Sequence, residues 1–378
     1  MKVLFIALEL YNPQYLGGMQ RFNQRVVRAL LELREKGLVQ GVRTIALWDT
    51  PEDIHRALTG APHYAGQHKK LQTILQFLKE LCFFRPDIVL YGHVLLSPLS
   101  VAARIVLPKV KNLLFAHGIE VWGEPFRRIS LGERLAVRLG CQRIITVSRF
   151  TAQRMERVYR IGAQRYRVLP NAVDLDDQAP SCMLSHPNTQ RPIMLTVARL
   201  TEKDRGKGID KVLQALPVVL SKFPTVQYLV VGEGPLKEEL TALAARLGVH
   251  KHVHFLGRVS DEKLAELYSS ASVFVMPSSK EGFGIVYLEA WAHGVPVIAG
   301  KHDAGSEVVT HGLNGLTVNP DSVSEIVEAI VWLLSHPTEA HKMGQAGYET
   351  VKRLYTHEHF RARLAEILQE SMIGGVPD

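Results

Sequence analysis

A chain of 378 residues is longer than one hydrophobic core usually organises, so two domains are expected. With 46% hydrophobic residues, three scattered cysteines and no apolar run near the roughly 18 residues of a membrane span, the composition excludes a disulfide scaffold, a zinc-ribbon protein and an integral membrane protein. The formal net charge of +8 favours an anionic ligand or surface, and the cysteine pattern favours a reducing, cytoplasmic compartment.

Buried strands alternate with amphipathic helices along the chain, as they do in parallel α/β domains. Strands are predicted over residues 1–8, 42–47, 87–91, 112–116, 143–147, 193–198, 228–231, 253–256, 272–277 and 295–299. Helices are predicted from near residue 21, over 68–84, after 148, over 261–268, from the glycines near 284 to about 293, and over 322–335 and 339–371. Because ligands of parallel sheets bind beyond the carboxyl ends of the strands, residues that follow each strand are the candidates for a functional site.

Two candidates in the first half of the chain follow strands. The pair Gly17-Gly18 lies between the first strand and a helix, where backbone N–H groups are available to an anion. Alone this pair is a weak signal, and the absence of a G-x-G-x-x-G fingerprint argues against a dinucleotide site. His117 opens the sequence HGIEVW after a later strand. A single histidine at a strand end is more often structural than functional.

Two cations follow the first strand of the second half. Arg199 leaves that strand and Lys207 begins the next helix, so both can converge on one anion. Lys203 is the alternative lysine, and a solvated basic loop is the alternative interpretation of the whole segment. Three more candidates follow the next two strands: Gly232, Arg258 and Val259.

The stretch from Lys280 to Ala290 combines two carboxylates with a glycine-rich helix start. Gly282 and Gly284 let the backbone approach a ligand, and the N–H groups of the first helical turn favour a phosphate. Glu281 and Glu289 stand eight residues apart, about 12 Å along a helix. That spacing suits the two ends of a nucleotide-sugar, with one carboxylate for sugar hydroxyls and the other for ribose. The alternative is an exposed pair of glutamates at a helix start.

The segment from Arg127 to Arg167 contains eleven arginines, opposed only by Glu133 and Glu156. Such a patch is suited to nucleic acid, anionic lipid or a phosphorylated acceptor. Because no nucleic-acid-binding module accompanies it, a membrane surface or a polyanionic acceptor is favoured over DNA and RNA. A solvated basic face is the alternative.

One metal-binding signature is interpreted as coincidental. The sequence Asp174-Leu175-Asp176 matches D-x-D, but it lies at the start of a polar, proline-containing stretch that extends to Pro192 and is predicted to be a linker. A linker is not a strand end beside a nucleotide site. No bound metal is therefore expected.

Together, these motifs resemble those of family 4 glycosyltransferases, which are retaining, sugar-nucleotide-dependent enzymes of GT-B fold. The resemblance runs from about residue 1 to 365, and the Arg199/Lys207 and Glu281/Glu289 elements are its most specific parts. It implies an α/β protein with two Rossmann-like domains facing across a deep cleft. The implied divisions are an acceptor domain at 1–172, a linker at 173–192, a nucleotide-sugar donor domain at 193–356, and a last helix at about 357–378 that packs back on the first domain.

The resemblance also implies a role for each candidate. Arg199 and Lys207 would bind the diphosphate and stabilise it as it leaves, Glu281 would hold sugar hydroxyls, and His117 would contact the donor sugar. The remaining candidates would line the nucleotide-sugar site: Gly17, Gly18, Gly232, Arg258, Val259, Phe283, Gly284, Ile285, Val286 and the ribose-binding Glu289.

The implied reaction is retaining transfer of a hexosyl group from a donor of the GDP-mannose or UDP-glucose type. The acceptor would be a glycolipid, a polysaccharide intermediate or a small molecule. No cofactor, metal or nucleic acid is expected, and the enzyme would be cytoplasmic or peripheral on the inner face of the cytoplasmic membrane. Three alternatives stay open: a sugar-nucleotide epimerase of the same fold, a phosphorylase-like enzyme needing a pyridoxal phosphate lysine, and a non-catalytic nucleotide-binding or membrane-docking protein.

Overall fold

The predicted alternation of strands and helices is present in both halves of the chain. The computed structural model describes residues 1–13, 17–56, 60–122, 129–175 and 191–373. The chain divides into two units: unit 1 is Met1–Asn171 with His357–Asp378, and unit 2 is Ala172–Thr356. Of the predicted linker, residues 173–175 belong to unit 2, while residues 176–190 lie outside the described residues.

Unit 1 is built on a parallel sheet. Its strands are β1 (Lys2–Ala7), β2 (Gly41–Ala46), β3 (His63–Ala65), β4 (Ile88–Tyr91), β5 (Lys111–Ala116), β6 (Arg143–Thr146) and β7 (Tyr166–Val168), in the spatial order β3-β2-β1-β4-β5-β6-β7. Its first helices are α1 (Gly18–Glu35), α2 (Lys70–Phe83), α3 (Ser97–Val106), α4 (Leu131–Gly140) and α5 (Arg149–Tyr159). Ser148 caps α5 by accepting the N–H of Thr151 at 3.0 Å, because a serine hydroxyl replaces the missing acceptor at a helix start.

Unit 2 contains a second parallel sheet. Its strands are β8 (Ile193–Val197), β9 (Gln227–Val231), β10 (Val253–Gly257), β11 (Val273–Met276), β12 (Val297–Gly300) and β13 (Gly315–Val318), in the order β10-β9-β8-β11-β12-β13. Its helices are α6 (Ile209–Lys222), α7 (Leu236–Arg246), α8 (Asp261–Ser270), α9 (Ile285–Ala292), α10 (Gly305–Val308), α11 (Val323–Ser335) and α12 (Pro337–Leu354). A 3₁₀ turn over Glu202–Lys207 precedes α6, so that helix begins two residues after Lys207 rather than at it.

The helices of unit 1 cover both sides of its sheet. From β1 to β2 the chain moves toward the β3 edge of the sheet, and from β3 onward it moves toward the β7 edge. Right-handed crossovers therefore place α1 on one side of the sheet and α2, α3, α4 and α5 on the other. A last helix, α13 (His357–Ile373), packs on α1. Phe360 of α13 meets Phe22 of α1 with ring centroids 5.3 Å apart, and Arg361 Nη1 pairs with Glu32 at 2.7 Å.

Buried hydrogen bonds fix the elements of the unit 2 core. The hydroxyls of Thr196 in β8 and Tyr228 in β9 lie 2.8 Å apart. The Tyr287 hydroxyl of α9 donates to the carbonyl of Met276 in β11 at 2.9 Å, and both residues are fully buried. This contact holds the start of α9 against the end of β11, where the Lys280–Ala290 stretch begins.

Three strands were not predicted from the sequence: β3, β7 and β13. Each is three or four residues long and lies at the edge of its sheet. A run this short carries too few residues for a period-2 pattern, and pairing with only one neighbour requires little apolar character.

Candidate active site

Backbone hydrogen bonds link the loops at the carboxyl edge of the unit 2 sheet. The N–H of Leu200, after β8, donates to the carbonyl of Glu233 at 2.9 Å, and the N–H of Gly232, after β9, donates to the carbonyl of Gly257 at 2.9 Å. Four of the candidates therefore lie on three adjacent, mutually bonded loops: Arg199, Gly232, Arg258 and Val259.

Arg199 bonds to a buried aspartate that the sequence analysis did not identify. Its Nη2 donates to Oδ1 of Asp204 at 3.3 Å, and Oδ2 of Asp204 accepts from the Thr201 hydroxyl at 2.5 Å. The charge of Asp204 also contributes to a raised pKa of Lys207. One carboxylate thus interacts with both cations that were predicted to converge. The side chain of Arg199 stays 68% exposed, in a position to meet a ligand.

Lys207 forms an ion pair with Glu281. Its Nζ donates to Oε2, and the two side chains are only 21% and 14% exposed. The backbone fixes this pairing, because the N–H of Ser279, after β11, donates to the carbonyl of Gly206 at 2.7 Å. Lys203, the alternative lysine, is exposed to solvent.

A second buried carboxylate, Asp303 in the loop after β12, holds the Glu281 backbone. Its Oδ2 accepts the N–H of Glu281 at 2.6 Å, and its Oδ1 accepts the N–H of Gly305 at 2.8 Å. Asp303 is 1% exposed. Lys207, Glu281 and Asp303 therefore form one cluster at the carboxyl edge, which we call the acidic-lysine cluster.

The electrostatics of the acidic-lysine cluster follow from its burial. Burial raises the pKa of the Asp303 carboxyl to about 7, and the neighbouring Glu281 carboxylate adds to the rise. Burial acts to lower the pKa of Lys207, but the Glu281 carboxylate outweighs it and the pKa is raised above its ordinary value. The ammonium is therefore charged at neutral pH, whereas Asp303 exchanges its proton there.

Gly284 allows α9 to begin beside Glu281. Its φ of +92° lies in the left-handed region, and a Cβ at this position would overlap the ring of Tyr287. Among the described residues no side chain caps α9, so the N–H groups of its first turn, which includes Ile285 and Val286, are oriented to favour a phosphate.

Phe283 and Glu289 lie on either side of that helix start. Phe283 is buried against Tyr355, with ring centroids 5.8 Å apart. Glu289 accepts from the Tyr268 hydroxyl at 2.9 Å. From the sequence, Glu281 and Glu289 were expected to be spaced by the rise of one continuous helix. In the structure Glu281 precedes α9 and is separated from it by left-handed Gly284, so that expectation was wrong.

In unit 1, His117 follows β5 and is held on two sides. Its Nε2 lies 3.0 Å from the carbonyl of Gly92, and its ring meets that of Phe22 edge-on at 5.0 Å. A carbonyl only accepts, so Nε2 carries the hydrogen and Nδ1 is left as an acceptor. Burial lowers the pKa of His117 against the opposing effect of Glu120, so the imidazole is neutral at pH 7.

The turn after His117 is held by Glu120, which is fully buried. Its Oε2 accepts the N–H of His117 at 3.0 Å and the N–H of Gly118 at 2.8 Å. The acidic position of the HGIEVW motif therefore fixes the backbone that presents the histidine.

A buried aspartate also anchors the residues that directly follow β1. Asp49 accepts the N–H groups of Leu10 and Tyr11 at 2.9 Å each, and its Oδ2 lies 3.2 Å from Nε2 of His63. Gly17 and Gly18 stand at the start of α1, and Phe22 one turn further along contacts His117. Gly17, Gly18 and His117 thus belong to one region of unit 1.

Three buried aspartates that hold these loops were not predicted from the sequence: Asp49, Asp204 and Asp303. A signal for two of them was present. Asp49 and Asp303 each follow a strand at the carboxyl edge, the position by which His117 and Arg199 were chosen.

Over the described ranges, no group of three or more His, Cys, Asp and Glu side chains is arranged to hold a metal ion. Asp176 of the D-x-D sequence lies outside those ranges.

Two family models match the chain, one in each half. A model described as Glycosyltransferase Family 4 matches residues 16–177, and a model described as Glycosyl transferases group 1 matches residues 185–350.

Similar proteins include several mannosyltransferases. A GDP-mannose-dependent α-(1-6)-phosphatidylinositol monomannoside mannosyltransferase of Mycolicibacterium smegmatis is 32% identical over 308 residues, covering 70% of this chain and 80% of that protein. The Mycobacterium tuberculosis protein of the same description is 34% identical over 243 residues, covering 61% and 62%. The D-rhamnosyltransferase WbpZ of Pseudomonas aeruginosa is 36% identical over 154 residues, covering 39% and 40%. The matched segment spans most of the first relative and less than two thirds of the other two.

Solved structures share the fold over nearly the whole chain. Sucrose-phosphate synthase from Thermosynechococcus elongatus aligns with a TM-score of 0.78 and 21% identity, covering 98% of both chains. Anabaena HepE in complex with UDP and glucose aligns with a TM-score of 0.78 and 17% identity, covering 98% of this chain and 100% of that one. At these identities the likeness concerns the fold alone.

Proposed function

Because the chain belongs to glycosyltransferase family 4 and has the GT-B fold, we propose that it transfers a mannosyl group from GDP-mannose to a lipid-linked acceptor, with retention of configuration. GDP-mannose is favoured over UDP-glucose because the relatives at 32% and 34% identity are named as GDP-mannose-dependent, whereas UDP accompanies a structure only 17% identical. Those relatives are also named for a phosphatidylinositol monomannoside, which supports a lipid-linked acceptor.

The observation that carries the proposal is the Lys207–Glu281 pair at the carboxyl edge of the unit 2 sheet. Cleavage of a nucleotide-sugar leaves negative charge on the diphosphate, and a fixed cation stabilises that charge without reorganisation of solvent. Lys207 is suited to this role because its raised pKa keeps it charged. Arg199 and the first turn of α9 would contribute further donors to the same diphosphate.

Glu281 is proposed to accept hydrogen bonds from sugar hydroxyls. One oxygen of its carboxylate accepts from Lys207 Nζ, and its backbone N–H donates to Asp303. Glu289 is proposed to bind the ribose hydroxyls, beside Tyr268. His117 is proposed to contribute Nδ1 as a neutral acceptor, since its Nε2 hydrogen is directed to Gly92.

The buried carboxylates of the cluster favour attack on the same face of the sugar as the leaving group. A double displacement needs a carboxylate nucleophile on the opposite face. The Glu281 carboxylate accepts from Lys207, and Asp303 accepts two backbone N–H groups. Both carboxylates therefore have structural partners, and neither is proposed as the nucleophile. In the proposed step the acceptor oxygen bonds to C1 as the C1–O bond to phosphate breaks. The electron pair stays with the diphosphate, which takes up the acceptor proton, and GDP and a mannoside are released.

Arg199, Lys207 and the first turn of α9 are proposed to stabilise the leaving diphosphate without a metal. The donor is therefore tested by a thermal-shift titration without added metal against GDP, UDP and ADP and their common hexose conjugates. A ligand at about 100 times its dissociation constant adds about 2.7 kcal/mol, which moves the midpoint by several degrees. Stabilisation by GDP and GDP-mannose alone is expected, and stabilisation by UDP alone would overturn the donor assignment.

Transfer and stereochemistry are measured next. Incubation with GDP-mannose and phosphatidylinositol mannosides in mixed micelles is expected to yield an α-mannoside, identified by its anomeric coupling in NMR spectra. A β-mannoside contradicts retention. Release of an isomerised sugar without use of the acceptor favours the epimerase alternative, and donor binding without turnover favours the non-catalytic one.

A further inference from the structure

Several arginines of the arginine-rich segment bind within unit 1. Arg143 Nη1 donates to the carbonyl of Gln164 at 2.8 Å, and Arg167 pairs with Glu370 at 2.7 Å. Arg165 donates to the carbonyl of Arg138 at 3.1 Å. These three side chains are held within the fold, whereas Arg138, Arg149, Arg157 and Arg160 of the same segment are exposed. Residues 127 and 128 lie outside the described part of the chain.

Exposed apolar side chains concentrate on three neighbouring helices of unit 1. Of the seventeen large hydrophobic residues that are exposed among the described residues, ten lie on α2, α3 and α4 or directly beside them. They are Leu71, Ile74, Leu75, Phe83, Leu95, Ile105, Val106, Leu131, Leu135 and Leu139. Phe83 is 78% exposed, Ile105 76% and Leu131 72%, and burying such side chains is favourable. We call this surface the α2–α4 face.

The three helices form one continuous layer. They lie on the same side of the sheet, run parallel to one another, and pack as α2 on α3 and α3 on α4. The α3 and α4 backbones approach closely at Gly140, where a Cβ would overlap the Ser100 hydroxyl. Leu131, Leu135 and Leu139 are spaced four residues apart, so they form one stripe along α4.

The charges around these apolar residues are mostly positive. Over residues 69–109 and 131–140, seven cationic residues are exposed: Lys69, Lys70, Lys79, Arg85, Arg104, Lys109 and Arg138. The same ranges contain three carboxylates, and each is engaged within unit 1. Glu80 is paired with Arg43, Asp87 accepts the N–H of Lys2 at 2.7 Å, and Glu133 accepts from the Tyr159 hydroxyl.

We propose that the α2–α4 face docks unit 1 on an anionic lipid bilayer, with its leucines in the interface and its lysines and arginines among the headgroups. Exposed leucines surrounded by cationic side chains suit such a bilayer, because its acyl chains are apolar and its headgroups are anionic. A protein partner would need its own acidic rim, and it is treated as an outcome of the test. Across the residues that the structure describes, no helix has the length and apolar character to cross a bilayer.

Docking in this orientation has a consequence for the site. Helices that follow parallel strands begin at the carboxyl edge of the sheet, so Leu71 and Leu131 lie toward the edge that carries Gly18 and His117. The face would therefore bring that edge close to headgroups. The proposal rests on the proposed function for its lipid-linked acceptor, but vesicle binding needs neither donor nor acceptor, so the two can fail separately.

The test is sedimentation of the full chain with vesicles at physiological salt. Vesicles of phosphatidylcholine alone are compared with vesicles that also contain phosphatidylglycerol. Binding only to the anionic vesicles is expected, and no binding to either kind overturns the proposal. Replacement of Leu131, Leu135 and Leu139 together by Gln is expected to weaken binding by about tenfold or more.

A matched control replaces three exposed apolar residues of unit 2, Val218, Leu313 and Leu354, by Gln. This variant is expected to bind as the wild type does. Equal binding by both triple variants, at unchanged unfolding midpoints, contradicts the assignment of the face. A stable oligomer in lipid-free sedimentation equilibrium that the α4 variant abolishes would show that the face binds protein instead.

Cys82 offers an independent readout, because it is exposed at the end of α2 beside Phe83. An environment-sensitive fluorophore is attached there after Cys182→Ser, while Cys141 is buried. A blue shift with anionic vesicles, and quenching by spin-labelled lipids, is expected. An unchanged emission spectrum under conditions where the protein sediments places the contact away from α2 and contradicts the proposal.

Discussion

At the carboxyl edges of both sheets, buried carboxylates hold the loops, but the two edges present different chemical groups. In unit 1, buried Asp49 and Glu120 accept backbone N–H groups and hold the loops. In unit 2, Asp303 does the same, but it lies against the Glu281 carboxylate and the Lys207 ammonium. Unit 1 thus offers backbone groups and a neutral histidine, while unit 2 concentrates charge. Burial, together with the Glu281 carboxylate packed beside it, raises the pKa of the Asp303 carboxyl to about 7, so one loop-holding carboxylate of unit 2 titrates near neutral pH.

The largest effect is expected from Lys207→Gln, because it removes the buried cation proposed to meet the leaving diphosphate. By analogy with the loss of one oxyanion-hole donor, kcat should fall by roughly 10²–10³-fold, or about 2.7–4 kcal/mol of barrier. Steady-state transfer from GDP-mannose measures this. Lys203→Gln, on the same turn but exposed, should leave kcat within twofold of the wild type. A larger loss in Lys203→Gln would give the role to the alternative lysine.

A smaller effect is expected at the neutral histidine of unit 1. His117→Gln keeps a donor for the carbonyl of Gly92 but lacks the Nδ1 acceptor, so kcat/KM should fall about 3–10-fold, equivalent to roughly 0.5–1.5 kcal/mol, with an unchanged unfolding midpoint. His117→Asn keeps an acceptor near the Nδ1 position and loses the bond to Gly92, so it should lower the midpoint more than the activity. The reverse pattern would assign function to Nε2.

A pH-dependent effect on stability is expected at the carboxyl edge of unit 2. The pKa of Asp303 is raised to about 7 in the folded protein from an ordinary value of 3.8, so the folded state binds its proton more tightly than the unfolded state. Its contribution to the free energy of unfolding is therefore present below about pH 4 and lost as pH rises to 7. Asp303→Asn should flatten that decline in urea titrations. Wild-type stability that rises between pH 5 and 7, with no change in the variant, would contradict the raised pKa.

The same proton should be visible in donor binding. Below pH 7 Asp303 is protonated and neutral, so the Lys207–Glu281 pair has one negative charge fewer beside it. The anionic donor is repelled less and is expected to bind more tightly than at pH 8. Calorimetric titration with GDP-mannose tests this, because its diphosphate does not titrate in this range. Asp303→Asn should bind it equally at both pH values.

The sequence was informative about which residues stand at strand ends, and less so about what holds them there. Buried strands such as β5, β8 and β11 are short apolar runs, so His117, Arg199 and Glu281 could be placed from the pattern alone. The partners of these residues come from other loops, as Asp303 does for Glu281, and such pairings depend on strand order rather than on sequence spacing.

The arginine-rich segment shows the other limit of sequence reasoning. Composition marked the whole segment as a surface patch, but Arg143 and Arg165 bond to carbonyl groups of unit 1, while Arg149 and Arg160 are exposed. The apolar face on α2, α3 and α4 drew no attention, because a helix with leucines on two sides resembles an ordinary buried helix until its burial is known. Exposure is a property of the packed layers, and one helix sequence does not contain it.

The position of α13 affects the order in which the protein is made. Unit 1 is interrupted by all of unit 2, so its last helix is synthesised only after residues 172–356. Until then the apolar side of α1, including Phe22, has no Phe360 to cover it and is exposed on the nascent chain. Unit 2 meets no such delay, because its residues are contiguous. The half of the protein that leaves the ribosome first is therefore the half that finishes folding last.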